Sequence, residues 1–223
     1  LTHYAYHIKA GKEIFAAEGA FGQYLICFRN LPVAIGITAG AREYLAADIC
    51  LKYMKEAVSE PCKEEQLEAA EKTLRAKLNS LSLVQPEGTF RTARKEAAKL
   101  FDRKILFTEN PRKIESAVFT KDGHRVKIEA VINGEQKTLY AGYKVWKRND
   151  LYPDDHTKRY QNVAYAMDAE ALYLSVGLIN TSYKEEYCLW VNSQDKVIAT
   201  WHPNVTYLPE EPDMIWKFTG TFE

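Results

Sequence analysis

The chain has 223 residues, of which 46% are hydrophobic, and its 30 basic and 30 acidic side chains cancel to a formal net charge of zero. This length suits one large domain or two small ones, with a core that needs neither a metal nor a disulfide. Zero net charge excludes a global field that would draw the molecule toward nucleic acid or anionic lipid. We predict no transmembrane segment, because the most apolar window, residues 24–39, is shorter than the roughly 20 residues of a spanning helix.

Apolar residues in the first half of the chain recur at helical spacing. We predict helices over residues 3–18, 40–58, 62–81 and 89–107. The clearest pattern belongs to 62–81, where the apolar residues three or four positions apart are Leu67, Ala70, Leu74, Leu78 and Leu81. Acidic residues crowd the start of this segment and basic residues its end, in keeping with the helix dipole.

After Pro111 the apolar period changes to two, which is typical of strands with one buried face. One such row is Val126, Ile128, Ala130 and Ile132, and another is Leu172, Leu174, Val176 and Leu178. Asp122-Gly123 and Asn133-Gly134 are dipeptides that two-residue hairpin loops favour. These features predict strands near residues 114–120, 125–132, 137–147, 171–179, 186–192, 196–202 and 213–222.

The change of period predicts an α+β fold with two regions. An N-terminal helical region, residues 1–108, is expected to pack on a C-terminal antiparallel β-meander, residues 109–223. The meander is expected to form a sheet or a partly open barrel.

Four cysteines, Cys27, Cys50, Cys62 and Cys188, lie far apart and show no metal-ligand spacing. We expect reduced thiols, no bound metal and no cofactor. The chain begins with Leu1 rather than Met, so the removal of a leader, and with it disulfide formation, stays open. The cellular compartment is therefore left undetermined.

Aromatic residues make up 12% of the chain and crowd its second half. Rings with a polar tip are favoured in pockets and at interfaces, although they also fill cores. The candidate ligand-binding residues are Tyr143, Trp146, Tyr173, Trp190, Trp201 and His202. The sequence favours a non-enzymatic binding or interaction protein that presents an aromatic-rich β-surface or pocket to a small ligand or a protein partner, with a homo-oligomer left open.

The run from Tyr187 to Asn204, YCLWVNSQDKVIATWHPN, contains a turn followed by a strand that ends in His202-Pro203. It is similar to the hairpin of extracytoplasmic Cache sensor domains. The resemblance covers this run alone and implies a sensing role without assigning any ligand residue.

A basic helix predicted over residues 89–104 favours a second hypothesis, a nucleic-acid-associated accessory protein. Its candidate contact residues are Arg91, Arg94, Lys95, Lys99 and Arg103. Asp102 falls within the same face and weakens this hypothesis. The alternative interpretation is the solvated side of an amphipathic helix.

A third hypothesis is a hydrolase that uses Asp154, Asp155, His156 or His202, because a His–Asp pair can act as a general base. No nucleophile signature flanks these residues. The proline and aspartates of residues 149–160 suit a turn, so we expect a solvated loop there. Enzymatic activity is left uncertain, a non-enzymatic role is favoured, and no residue is assigned to catalysis.

Overall fold

The computed structural model describes residues 8–10, 12–41, 45–59, 63–87, 96–150, 160–179, 181, 183–206 and 214–223. The chain divides into two compact units, Leu1–Val84 and Gln85–Glu223. Both described α-helices belong to the first unit, and the second is built from mostly antiparallel strands. The predicted α+β class is therefore confirmed. None of the described helices combines the length and the apolar character needed to cross a membrane.

The N-terminal unit begins with a four-stranded antiparallel meander in the order β1-β2-β3-β4. The strands are β1 Ile8–Ala10, β2 Ile14–Gly19, β3 Gln23–Phe28 and β4 Ala34–Ile37. Ala16, Tyr24 and Ile26 are buried on one face of this sheet. The helix predicted over residues 3–18 is wrong where the structure describes it. Both faces of β2 are apolar, so its sequence lacks the alternation that marks a strand with one buried face.

Two helices follow, α1 Leu45–Ser59 and α2 Glu64–Ser80, and they confirm the helices predicted over residues 40–58 and 62–81. Leu51 of α1 packs against the buried face of the meander. α2 has no buried residue, and its leucines Leu67, Leu74 and Leu78 are all more than half exposed. The predicted apolar stripe of α2 is therefore present but faces solvent.

The C-terminal unit is a barrel closed by nine of the described strands. The strands of this unit are β5 Lys104–Phe107, β6 Ile114–Asp122, β7 Arg125–Ile132, β8 Glu135–Tyr143, β9 Lys147–Asp150, β10 Tyr160–Met167, β11 Ala171–Leu178, β12 Lys184–Val191, β13 Val197–Pro203 and β14 Trp216–Phe222. The order around the barrel is β11-β12-β13-β14-β5-β6-β7-β8-β10, and β10 pairs back with β11. β9 pairs with Tyr160–Val163 of β10, along the same edge of β10 that pairs with β8 at Ala164 and Tyr165. Neighbours are antiparallel except β8 and β10, which pair in parallel over two residues.

The seven strands predicted in this half correspond to β6, β7, β8, β11, β12, β13 and β14 and are confirmed. The predicted hairpin loop Asn133-Gly134 joins β7 to β8 with φ angles of 51° and 75°. Both residues therefore adopt the left-handed conformation that a two-residue hairpin loop requires. β5, β9 and β10 are strands that the sequence pattern did not predict.

The helix predicted over residues 89–107 is wrong from residue 97 onward, and residues 88–95 lie outside the described residues. The chain forms a short 3₁₀ helix, Ala97–Leu100, and then enters β5. Asp102 turns the backbone with a φ of 58°, and its N–H donates to the carbonyl oxygen of Phe119 at 2.9 Å. The apolar residues of this segment therefore enter the barrel core instead of forming one face of a helix.

Candidate functional site

Packed side chains fill one end of the barrel. The fully buried residues there are Leu100, Ile105, Val126, Ala141, Leu172 and Val197. The 3₁₀ helix covers this end, where the N–H of Ala97 donates to the carbonyl oxygen of Ala169 at 3.2 Å. The ammonium of Lys99 lies 3.0 Å from a carboxylate oxygen of Asp195, in the turn between β12 and β13. This end of the barrel is therefore a conventional hydrophobic core.

The opposite half of the barrel contains a cavity of about 650 Å³. Inward-facing residues form its wall because successive side chains of a barrel strand alternate between interior and exterior. The apolar lining includes Ile128, Ala130, Val163, Val176, Leu189 and Phe218. The period-two rows of β7 and β11 thus place their apolar residues inside the barrel, as the sequence predicts.

Small side chains leave this space unfilled. Ala117, Ala130 and Ala199 occupy inward positions on three strands that line the cavity. A leucine or phenylalanine at each position would extend into the interior and complete the packing found at the other end. The cavity is therefore a consequence of residue size at particular inward positions.

Polar lining residues gather where strands begin or end. They include Arg112, Asn133, Glu135, Lys137, Gln161 and Thr181. The turns from β5 to β6 and from β7 to β8 and the start of β10 all lie at the same end of the antiparallel barrel. The cavity is therefore apolar along its wall and polar at one end.

A network of Arg112, Glu185 and Tyr187 forms the most buried part of this polar end. The Arg112 Nε lies 3.2 Å from one carboxylate oxygen of Glu185. The Tyr187 hydroxyl donates to the other oxygen at 2.6 Å. The Glu185 side chain is 10% exposed and that of Arg112 is 42% exposed. One carboxylate therefore holds a cation and a phenol together at the cavity wall.

The turn before β6 positions Arg112. The side-chain amide of Asn110 donates to the carbonyl oxygens of Thr108 at 2.9 Å and Ile114 at 2.8 Å. Its side-chain oxygen accepts from the N–H of Ile114 at 3.0 Å. Because Asn110 is buried and its amide makes these bonds on both sides of the turn, the backbone that carries Arg112 is fixed.

The network fixes the protonation of its members. Burial opposes the charge on Arg112, but the neighbouring Glu185 and Tyr187 outweigh it and raise the pKa of the guanidinium. Burial first, and then the Glu185 carboxylate, raise the pKa of Tyr187 well above its ordinary value of 10.0. At neutral pH the cavity therefore presents a charged guanidinium and a neutral phenol.

The second charged pair of the lining lies nearer to solvent. The Lys137 ammonium is 2.7 Å from a carboxylate oxygen of Glu135, which is 62% exposed. An ion pair in this setting contributes little stability. The pair supplies polarity without net charge at the edge of the cavity.

The six residues predicted from the aromatic pattern, Tyr143, Trp146, Tyr173, Trp190, Trp201 and His202, are dispersed over the barrel, and none of them is a lining residue of this cavity. Tyr173 and Trp190 pack together in a cluster outside the main core, where the Tyr173 hydroxyl donates to Asp168 at 2.9 Å. Trp201 is buried in the main core, and its ring centre is 5.9 Å from the Arg112 guanidinium carbon.

The other three lie apart from these. Tyr143 is exposed, and its ring is 5.3 Å from that of Tyr165. Trp146 is half-buried between β8 and β9. His202 Nδ1 lies 3.8 Å from a Glu186 carboxylate oxygen. A ligand-binding role for any of the six stays a prediction.

The residues of the two alternative hypotheses lie partly outside the described chain. Asp154, Asp155 and His156 belong to residues 151–159, and Arg91, Arg94 and Lys95 belong to residues 88–95, none of which the structure describes. Among the described residues, Lys99 pairs with Asp195, and the Arg103 guanidinium stacks 3.6 Å from the centre of the Phe222 ring. Both cations therefore have partners at the packed end of the barrel.

Sequence reasoning did not identify Arg112, Glu185 or Tyr187. Glu185 and Tyr187 occupy alternate positions on β12, next to the inward-facing Leu189. A carboxylate in an inward row of a strand is an unusual feature and was the available signal. Arg112 lies in a turn, where a cation is ordinary, and only closure of the barrel brings it to Glu185.

No family model matches the chain and no curated protein matches it, so the resemblance to Cache domains gains no support. Among solved structures, the barrel is similar to the "REP1-NXSQ fatty acid transporter", with 12% identity and a TM-score of 0.42 over 57% of this chain and 98% of that chain. It is also similar to a fatty-acid-binding protein from Manduca sexta, with 8% identity and a TM-score of 0.39 over 55% of this chain and 98% of that chain. Because both TM-scores are low, no binding property passes from those proteins to this chain.

Proposed function

We propose that this chain is a non-enzymatic binding protein that holds a small, largely apolar molecule inside its barrel. The cavity of about 650 Å³ carries this proposal. Ligand pockets fall in the range of about 300–1,000 Å³ and combine an apolar wall with a few polar groups that fix orientation. The barrel interior has both features.

The free energy that drives such binding comes from the transfer of apolar surface out of water. Each Å² of apolar surface removed from water contributes about 25 cal/mol, against which the cost of association must be set. The wall of Ile128, Val163, Val176 and Leu189 offers this surface. The Arg112, Glu185 and Tyr187 network offers donors and an acceptor for one polar end of the ligand.

A titration with Nile red, a neutral dye whose fluorescence rises in apolar surroundings, tests the proposal. Saturable binding at one site per chain is expected. Ala130→Trp places a large ring inside the cavity and is expected to weaken dye binding roughly tenfold or more. Val131→Trp, the next residue on β7 with its side chain on the opposite face, is the matched control and should bind the dye as the wild type does.

Circular dichroism and thermal unfolding of both variants would separate loss of the site from loss of the fold. Equal dye affinity in Ala130→Trp and the wild type, with both folded, would place the bound dye outside the cavity and overturn the proposal.

A protein partner stays a prediction, and the exposed leucines of α2 are the feature that favours it. Contiguous exposed apolar residues are typical of interaction surfaces. Measurement of molar mass by light scattering for the wild type and for a Leu74→Gln, Leu78→Gln variant tests this prediction. A difference in assembly state is expected, and equal monomeric masses would count against self-association through this row.

The nucleic-acid hypothesis also stays a prediction. Binding that depends on phosphate contacts weakens steeply as salt rises. An oligonucleotide titration at low and moderate salt would therefore test it, and an affinity independent of salt would remove it.

A further inference from the structure

We propose that the cavity selects uncharged amphiphiles, with an apolar body and a neutral oxygen-bearing head, and discriminates against free carboxylates. This inference rests on the proposed function and names the ligand class of the same cavity. It follows from the charges that line the cavity and from the way in which they are paired.

Among the residues that the structure describes, four charged side chains line the cavity, and their charges sum to zero. Arg112 and Lys137 are the cations, and Glu135 and Glu185 are the carboxylates. Each cation of the described lining has a carboxylate within 3.2 Å, Glu185 for Arg112 and Glu135 for Lys137. The described part of the lining therefore offers a carboxylate ligand no uncompensated positive charge.

The ion pair of Arg112 and Glu185 is the more buried of the two, and it determines which ligand head group can bind. A carboxylate placed on the Arg112 guanidinium would lie beside the Glu185 carboxylate, whose side chain is 10% exposed, and two like charges this close repel each other. Displacing Glu185 would leave its charge unpaired in a position that is nine-tenths buried, which is also unfavourable. The Tyr187 hydroxyl already donates to Glu185 at 2.6 Å and holds it in place.

A neutral oxygen fits the same place. A guanidinium has five N–H donors, so Arg112 keeps donors that Glu185 does not use, and a ligand carbonyl or hydroxyl oxygen can accept from them. A carboxylate has about four acceptor positions, so Glu185 can also accept from a ligand hydroxyl. An alcohol, ester or ketone at the end of an apolar body would therefore satisfy the network without adding charge.

Competition against Nile red tests this at pH 7.5 with three ligands of one chain length: dodecan-1-ol, methyl dodecanoate and dodecanoate, each below its aggregation concentration. The two neutral ligands are expected to displace the dye at concentrations roughly tenfold or more lower than dodecanoate. If dodecanoate displaces the dye at the same concentrations as the two neutral ligands, the inference is overturned and the proposed function stands. Absence of saturable dye binding to the wild type would overturn the proposed function itself.

Glu185→Gln removes the compensating charge and keeps the size and an acceptor for Tyr187. Dodecanoate affinity is expected to rise roughly tenfold or more in this variant, with little change for dodecan-1-ol. Glu186→Gln makes the same change one residue further along β12, on the exposed face, and should leave all three affinities unchanged. If folded Glu185→Gln prefers neutral ligands over dodecanoate as strongly as the wild type does, the role given to Glu185 is overturned. The comparison of the three ligands on the wild type tests the ligand class independently of both variants.

Discussion

The side-chain amide of Asn149 in β9 binds both backbone polar groups of Tyr140 in β8. The Tyr140 N–H donates to Asn149 Oδ1 at 2.7 Å, and Asn149 Nδ2 donates to the Tyr140 carbonyl oxygen at 3.0 Å. Direct pairing of β8 with β10 covers two residues of each strand. Because β9 is itself paired with β10, the Asn149 side chain extends the contact between β8 and β10 that closes the barrel. We call this contact the seam.

Asn149→Leu should destabilise the barrel by about 2–4 kcal/mol, because it leaves the N–H and the carbonyl of Tyr140 facing an apolar side chain at the buried position 149. Denaturant unfolding of wild type and variant measures the difference. Gln136→Leu, which makes the same amide-to-leucine change at an exposed position of β8, is the control and should change stability by less than about 0.5 kcal/mol. A fully stable Asn149→Leu variant would show that the seam closes without this side chain.

Gly142 lies at the same seam, where β8 ends. A Cβ at this position would lie 2.5 Å from the carbonyl oxygen of Val145, which is backbone and cannot rotate away. Gly142→Ala should therefore lower the free energy of unfolding by roughly 1–3 kcal/mol, because the backbone at Val145 must shift to make room for the added methyl group.

Gly177→Ala is the matched control for this change, since a Cβ there meets only the Trp146 ring at 4.0 Å. Thermal unfolding of the two variants side by side gives the comparison. Equal melting temperatures would mean that the turn after β8 rearranges around the added methyl group without a loss of stability. The seam would then not depend on the present backbone path of that turn.

Particular strands show why the sequence predicted most of this barrel and missed parts of it. β7 and β11 have one apolar row facing the interior, so their period of two is visible in the residue types. β10 has apolar or aromatic residues on both faces over Val163, Ala164, Tyr165 and Ala166, which removes the alternation of residue types. The helix prediction over β2 was wrong for the same reason, since a strand with two apolar faces cannot be distinguished from a short helix by periodicity.

The candidate site was less accessible to sequence reasoning than the fold. Small residues such as Ala130 and Ala199 create the cavity only because they face inward together, and the pattern of one strand carries no sign of the residues across the barrel. The aromatic residues predicted to bind a ligand have other places in the fold, and Trp201 is part of the main hydrophobic core. Arg112 and Glu185 become partners through closure of the whole barrel, which is set by long-range pairing.

Tyr187 should make stability depend on pH in the alkaline range. Its pKa is raised in the folded protein, first by burial and then by Glu185, whereas an unfolded tyrosine ionises near pH 10. The contribution of Tyr187 is therefore complete below pH 10 and is lost as the pH rises from 10 toward the folded pKa, because only the unfolded chain releases the proton there. At pH 11 this loss amounts to about 1.4 kcal/mol.

Tyr187→Phe cannot ionise and isolates this effect. Below pH 9 the variant should be less stable than the wild type by about 1.5–3 kcal/mol, because it lacks the hydrogen bond to the Glu185 carboxylate. The gap between the two proteins should narrow by about 1.4 kcal/mol between pH 8 and pH 11 in denaturant titrations. A gap that is constant over this range would mean that Tyr187 ionises equally well in the folded protein.

Cys188 should be nearly inert toward alkylating reagents in the folded protein. Burial, and after it the carboxylate of Asp168, raise the pKa of this thiol to about 12. Because the thiolate is the reactive form and an ordinary cysteine has a pKa near 8.5, the folded protein at pH 8 should react roughly two thousandfold more slowly than the unfolded chain. A Cys27→Ser, Cys50→Ser, Cys62→Ser variant leaves Cys188 as the single thiol, and mass spectrometry of iodoacetamide labelling with and without guanidinium measures both rates. Labelling of the folded variant at the unfolded rate would show that the cluster of Tyr173, Trp190 and Cys188 opens readily, since a thiol kept within it cannot form the thiolate at that pH.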